Sequence, residues 1–365
     1  MLQKDIEAKL AEYRDPYLGK DLLSAKALKR IAIEQNRIEI DIVLGFPCNE
    51  IKEEMAARLK ALLTPLCTDK VININLSFRI DAHAGKQGLP ALHNVKNIIA
   101  VASGKGGVGK STVAVNLALA LAKEGAKVGL LDADIYGPSQ PAMLGTTGEK
   151  PILKGKSLAP IERLGIQSMS IGYLVDEHAP MVWRGPMIGK AMQQLLHDTM
   201  WEDLDYLIVD LPPGTGDIQL TLCQKIPVSG AVIVTTPQDL ALIDVTRACE
   251  MFNKLNVPIL GVIENMSIYH CPQCGHEERI FGEGAAAKLV QQYHLAMLGS
   301  IPLDIHIREM TDNGCPPVVK DPKSHYAKAF YEAARQAAAQ LSLQIKDYSA
   351  KFPKIVVDSG NRASL

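Results

Sequence analysis

The sequence predicts an α/β fold: a mostly parallel, doubly wound sheet that carries a phosphate-binding loop and is preceded by a small α/β domain. Three observations lead there. Residues 97–134 run as an apolar strand, a glycine-rich loop, a long helix and a second strand. Further along, the apolar runs Tyr206–Asp210, Ala231–Thr235 and Ile259–Ile263 are continuous, as expected of strands covered on both faces, and a helical stretch from Leu240 to Leu255 separates the last two. Before residue 80, apolar and polar residues instead alternate in two short runs, the pattern of a sheet with one wet face.

The bulk numbers agree with two domains. At 365 residues the chain is long enough for them, and 47% hydrophobic with 22% charged residues gives an ordinary globular core. A net charge of −1 offers no overall basic footprint for nucleic acid or for an anionic membrane. No stretch is apolar enough to span a bilayer, and the start lacks the layout of a signal peptide, so the expected location is cytoplasmic. Seven cysteines, odd in number and unevenly spaced, argue against a disulfide framework.

In the first domain, residues 1–80, the spacing predicts helices over Asp5–Arg14 and Asp21–Ile33, a strand at Ile38–Leu44, a helix over Asn49–Leu63 and a strand at Ile72–Ile80. DPYLGKDLL, then a strand, FPCN and a helix, resembles the MIP18-like (DUF59) domain of iron–sulfur assembly proteins. Cys48 falls where that family often keeps a cysteine; the alternative is a loop cysteine without a role. Residues 81–94, rich in Gly, Ala and polar residues, read as a linker that leaves the two halves free to move.

The second part, 95–343, opens with an apolar strand and then carries Gly104-Lys105-Gly106-Gly107-Val108-Gly109-Lys110-Ser111, followed by Thr112 and a helix. This is GxxxxGK[ST] in its strand–loop–helix setting. The glycines permit positive φ and close approach, so main-chain N–H groups converge on a phosphate, and the helix N-terminus favours an anion. Lys110 is expected to reach the β- and γ-phosphates and Ser111 to ligate Mg²⁺. An ordinary phosphate loop needs no second cation, yet Lys105 follows the first glycine. KGGVGKS resembles the deviant Walker A motif of the family that includes the MinD, ParA and nitrogenase iron-protein ATPases. The resemblance implies an ATP-sandwich homodimer in which Lys105 reaches the partner's nucleotide.

After the loop helix, Lys127–Leu131 is a strand ending in Asp132-Ala133-Asp134, where ligands sit in open α/β sheets. By resemblance Asp134 is the carboxylate that orients the attacking water, with Asp132 as a capping or paired residue. Residues 145–182 show little legible chemistry; WRGP, Trp183 to Pro186, introduces a helix, with Trp183 expected in the core. Asp210 closes a buried strand and reads as the acid that holds Mg²⁺ through water. The stretch 211–217 that follows is either a switch reporting the γ-phosphate or a rigid turn. YGPSQPAMLG and DLPPGTGD match the Mrp/NBP35 (ApbC) branch of the superfamily. Asn265 occupies the family's adenine-reading position; an amide donates and accepts at once. A capping Asn is the alternative.

Cys271-Pro272-Gln273-Cys274-Gly275 is a knuckle in which a tight turn lets two thiolates grip one metal or cluster edge. A zinc ribbon would need a second CxxC some 15–20 residues on, and Cys315 stands alone. His270 and His276 are the other candidates for a zinc site, and a redox pair is the third alternative. The Mrp/NBP35 resemblance, over about residues 95–340, implies instead a [4Fe–4S] cluster shared across a homodimer and passed to apoproteins. The rival functions are a ParA- or MinD-like positioning ATPase and a zinc-binding, nucleotide-dependent scaffold. A closing helix, Ser324–Leu343, and a polar tail, 344–365, complete the reading.

Overall fold

The computed structural model describes residues 2–85, 89, 91–175, 185–271 and 273–347. The N-terminal unit contains α1 (Leu2–Glu12), β1 (Leu28–Ile33), β2 (Arg37–Leu44), α2 (Lys52–Leu63) and β3 (Val71–Phe78). Strand β2 pairs antiparallel with β1 and parallel with β3. Ile38, Ile40, Ile42 and Leu44 face a core closed by Ile6, Leu10, Met55 and Leu59 of α1 and α2.

The expected helix over Asp21–Ile33 is not formed. Asp21 Oδ1 instead accepts the backbone N–H groups of Leu23 and Ser24, at 2.9 and 2.8 Å, and Lys26 takes a left-handed φ of 56°. That turn delivers β1 to the edge of β2. Pairing with a neighbouring strand overrode a helical spacing that the local sequence also satisfies.

The second unit is an eight-stranded sheet. In chain order its elements are β4 (Val95–Ser103), α3 (Lys110–Lys123), β5 (Val128–Asp132), α4 (Gln140–Met143) and the short hairpin β6 (Leu153–Lys154) and β7 (Ser157–Leu158). Then come β8 (Ile161–Arg163), β9 (Ile166–Ser170), α5 (Gly185–Asp198), β10 (Leu204–Asp210) and α6 (Asp217–Lys225). Next follow β11 (Gly230–Thr235), α7 (Asp239–Lys254), β12 (Ile259–Glu264), the hairpin β13 (Tyr269–His270) and β14 (Glu277–Glu278), and α8 (Ala285–Tyr293). The chain closes with β15 (Met297–Ser300), α9 (Ile305–Asp312), α10 (Pro317–Lys320) and α11 (His325–Ser342).

The sheet order is β15-β12-β11-β4-β10-β5-β9-β8, parallel except at the β8–β9 edge. Strands β5, β10 and β11 are wholly buried, matching their unbroken apolar sequences. The chain winds from β4 towards one edge, then returns to β10 and crosses to β11, so the order reverses around β4. Ligands bind outside the carboxyl ends of strands at such a reversal. The stretch with little legible chemistry builds, within its described residues 145–175, the outer strands β8 and β9. Trp183, expected in the core, lies outside the described residues, as do residues 348–365 of the tail.

The two units share one apolar core, running from Phe46 and Cys48 to Phe330 and Ala334 of α11. Arg335 of α11 is buried and pairs with the buried Glu124, at the end of α3, at 2.7 Å. It also donates to the Tyr17 hydroxyl at 3.2 Å. Glu124 in turn accepts the backbone N–H of Asn49 on its carbonyl and that of Glu50 on its carboxylate. Gly125 permits this approach: with φ at 100°, a Cβ there would lie 2.1 Å from Asn49 Nδ2. The segment read as a linker is tied down as well. His83 is buried against Asn97, and Ala84 N–H donates to the Ile345 carbonyl. This packing opposes the expected free movement of the halves.

Candidate functional site

The parallel register brings the carboxyl ends of the central strands level. Asp210 lies opposite Asp132 on β5 and opposite Val101 on β4, two residues before that strand ends. The loop then turns through Gly107 and Gly109, with φ of 80° and 79°, into α3. Gly104 has a different reason to be glycine: a Cβ there would lie 2.3 Å from the Asp244 main chain of α7. Gly106 has no positive φ either, so only two of the four loop glycines serve the turn that the sequence assigned to all four.

Lys110 Nζ is buried and bound to Asp210 Oδ1, with Ser111 Oγ at 3.2 Å. The cation expected at the phosphates thus neutralises the acid expected at the metal. Asp210 Oδ2 accepts from Gln140 Nε2 at 2.8 Å, and the same nitrogen reaches the Ser111 carbonyl at 3.1 Å. Thr112 follows at the third position of α3, partly buried. Gln140 was missed from sequence, because a polar residue in a proline-bounded turn carries no periodic signal.

Asp132 and Asp134 differ in their surroundings. The Asp132 carboxylate is fully buried and accepts four donors near 3.1 Å: the N–H groups of Asp134, Ser139 and Gln140, and the Ser170 hydroxyl. It organises the turn. Burial, then the neighbouring Asp210 charge, press its carboxyl upward, and those donors and Lys110 act against that rise. Asp134 is partly buried and held above the usual carboxylate range by burial, with Lys110 pulling the other way.

The residues fit a nucleotide and a divalent cation. Ser139 Oγ and Gln140 Oε1 are buried without a hydrogen-bond partner beside the two aspartates, and such orphaned acceptors ask for a ligand or its water. The 211–217 stretch hangs from the loop strand, with Leu211 N–H on the Val101 carbonyl and Gly214 N–H on that of Ser103, both at 3.1 Å. Lys105 Nζ meets Gln238 Oε1 of its own chain at 3.1 Å. Asn265, following β12, donates from Nδ2 to the Val108 carbonyl at 2.8 Å. The donor half of the adenine reading is therefore engaged by the loop.

The cysteine pair sits at the tip of the β13–β14 hairpin. Cys271 N–H donates to the His276 carbonyl and Gly275 N–H to that of Cys271, each at 2.9 Å, and Gly275 takes φ of 72°. Cys274 is exposed and Cys271 partly so. The N–H groups of Cys274 and Gln273 hold the Cys271 thiol below the ordinary range, which favours a ligating thiolate. No helix opens at the pair among the described residues, unlike a thioredoxin-type motif. Among the described residues no group of three or more His, Cys, Asp and Glu is arranged to hold a metal. Cys48 is fully buried, and burial pushes its thiol up to about 12.

Comparison with known proteins places this geometry. The family described as NUBPL iron-transfer P-loop NTPases matches residues 94–338, and one described as iron-sulfur cluster assembly protein matches residues 3–76. An iron-sulfur cluster carrier protein of Salmonella typhimurium is 50% identical over 344 residues, covering 94% of this chain and 93% of that protein. The mouse iron-sulfur cluster transfer protein NUBPL is 50% identical over 260 residues, 70% of this chain and 82% of its own. Among solved structures, a nucleotide-binding protein of Archaeoglobus fulgidus in complex with ADP is 39% identical with a TM-score of 0.56, covering 65% of this chain and 93% of that one. The Pyrococcus furiosus cell division ATPase MinD, 25% identical with a TM-score of 0.52, covers 66% of this chain and 97% of its own. With a phosphate loop at the reversal point of a parallel sheet and an outward-facing cysteine knuckle on the same chain, the protein belongs to the NUBPL iron-transfer family of ParA-like P-loop NTPases.

Proposed function

We propose that this protein is an ATP-hydrolysing iron–sulfur carrier, which holds a [4Fe–4S] cluster across a homodimer and passes it to apoproteins after loading by cluster assembly proteins. One observation carries the cargo: a thiol pair, one member with a depressed pKa, presented outward on a turn without further ligands among the described residues. Two thiolates per chain make half of a four-sulfur site, and a twofold axis supplies the rest. The chain's names among its relatives support the same cargo. No described helix is long and apolar enough to cross a membrane, and the near-zero net charge favours neither membrane nor nucleic acid as a partner. A cytoplasmic location fits this reading.

For hydrolysis Lys110 would leave Asp210 for the phosphates, and Asp210, through water, and Ser111 are the residues that would hold Mg²⁺. When bound, that cation would supply charge neutralisation on the triphosphate. Residues Gly104 to Thr112 wrap the phosphates, Asp134 orients the attacking water, and Lys105 swings from Gln238 to the partner's nucleotide. Asn265 presents its amide edge towards the base.

Anaerobic reconstitution tests the cargo. The wild type should take up about two iron and two sulfide per chain, as one shared four-iron cluster requires, and Cys271→Ala and Cys274→Ala should take up none. Zinc in place of iron and sulfide would overturn the reading. Lys110→Ala should lower steady-state ATP hydrolysis by about 100-fold or more, the usual effect of removing a preorganised charge from the transition state. If that variant delivers clusters as fast as wild type with ATP present, hydrolysis does not drive delivery.

A further inference from the structure

The phosphate loop and the cysteine knuckle are joined by a short run of chain. Asn265 ends one side of it and Cys271 the other. At the loop end, Asn265 Nδ2 donates to the Val108 carbonyl, a contact between residues 157 apart in sequence. Gly109 makes room for it, since a Cβ there would lie 2.2 Å from that nitrogen. The Asn265 main chain is fixed as well, its N–H on the Thr235 carbonyl at 2.8 Å. Met266, with a side chain, is then held at a left-handed φ of 57°. Beyond it, Ser267 donates to the Ile301 carbonyl from both N–H and Oγ, at 2.9 and 3.0 Å. Leu303 N–H meets the Ile268 carbonyl at 2.8 Å, and Tyr269 bridges to Leu303. His270 and Cys271 come next.

We propose that Asn265 is a positioning residue that makes the conformation of the Cys271/Cys274 turn depend on nucleotide in the loop. This rests on those two cysteines being the cluster site. The physical link is the planarity of one peptide bond. The carbonyl of Val108 and the N–H of Gly109 belong to a single rigid unit and point in opposite directions. Turning that N–H towards a phosphate therefore fixes the carbonyl that Asn265 holds. Hydrogen bonds on both sides of one peptide strengthen each other in a dry site. Occupancy of the loop thus stiffens Asn265, the left-handed turn at Met266 and the base of the hairpin. The empty loop leaves all three looser. Met266, held at its left-handed φ, is where the anchored strand end passes into the hairpin, so this turn is the element that loop occupancy would change.

The test reads the thiols without any cluster. Site-resolved alkylation of Cys271 and Cys274 is followed in the full chain with no nucleotide and with saturating non-hydrolysable ATP analogue and Mg²⁺. The oligomeric state is read on a sizing column under the same conditions, so that rates are compared at equal assembly. In the wild type, nucleotide should slow both reactions about fivefold, a coupling of ordinary size. In Asn265→Ala and in Met266→Gly the ratio should fall to about one, at nucleotide concentrations where a fluorescent analogue shows full occupancy. Met266→Gly keeps the amide contact and releases the turn, so it answers the question even where Asn265→Ala folds poorly. A wild-type ratio of one, or an unchanged ratio in the variants, overturns the proposal. If the ratio behaves as expected but reconstitution yields no iron, the cargo reading fails and the relay stands; the reverse pair of results leaves the carrier and removes the relay.

Discussion

The cysteines show how far a residue's chemistry can be read before its surroundings are known. Cys271 and Cys274 were legible because their spacing and the flanking Gly275 specify a turn, and the turn formed. Cys48 was not legible: a cysteine beside a strand end looks alike in sequence whether it is buried or exposed. Burial decides the matter here. At pH 8, iodoacetamide should modify Cys274 and Cys271 in the native protein and leave Cys48 untouched until urea is added, as peptide mass analysis would show. A lowered thiol pKa means more thiolate at a given pH, so the rate–pH profile of Cys271 should have its midpoint below that of an ordinary cysteine. A midpoint at or above the ordinary value would show that the turn's N–H groups do not aim at sulfur.

At the scale of elements, the loop and the strands around it were read correctly because each carries its own signal. The loop has a fixed glycine–lysine spacing, and each buried strand is an unbroken apolar run. Residues 21–33 failed for the complementary reason. Their spacing fits a helix, and only pairing with β2, which no local window contains, turned the second half into β1. Gly104 was assigned to the right element for the wrong reason, since its neighbour α7 lies more than a hundred residues on. Gly109 is sensitive to substitution on two counts. Gly109→Ala must hold a left-handed φ, at a cost of about 1–2 kcal/mol, and must also displace the Asn265 amide. Thermal unfolding should shift down, and nucleotide affinity should fall with it; an unchanged affinity would mean that the loop does not need that contact.

The buried pair between α11 and α3 belongs to the same scale. Removing one partner of such a pair leaves an uncompensated charge, so Arg335→Met should lose about 3–5 kcal/mol in urea unfolding. Replacing both, as Arg335→Met with Glu124→Leu, should recover much of that loss. If the double variant is no better than the single one, the pair matters through its bonds to Tyr17 and Glu50 rather than through its charges.

For the whole molecule, two domains were predicted from a change in hydrophobic pattern and a polar connection, and both units are present. What could not be read was their docking, because apolar residues that pack between domains look the same as those packing within one. The shared core has a consequence for unfolding. Trp183 and Trp201 both lie in the second unit, whereas far-UV circular dichroism reports on both units. The two signals should give coincident urea transitions. A separate early phase in the circular dichroism would show that the N-terminal unit lets go by itself.

Glu124 places a carboxylate at the carboxyl end of the very helix whose amino end faces the phosphates, which is the unfavourable end for a negative charge. Its stability there comes from Arg335 and from the Glu50 N–H that another folding unit lends. A shortened homologue made without its leading eighty or so residues would inherit that debt with one creditor gone. Such chains should have replaced the acid with a neutral or basic side chain, and restoring glutamate in one of them should loosen the far end of its nucleotide helix.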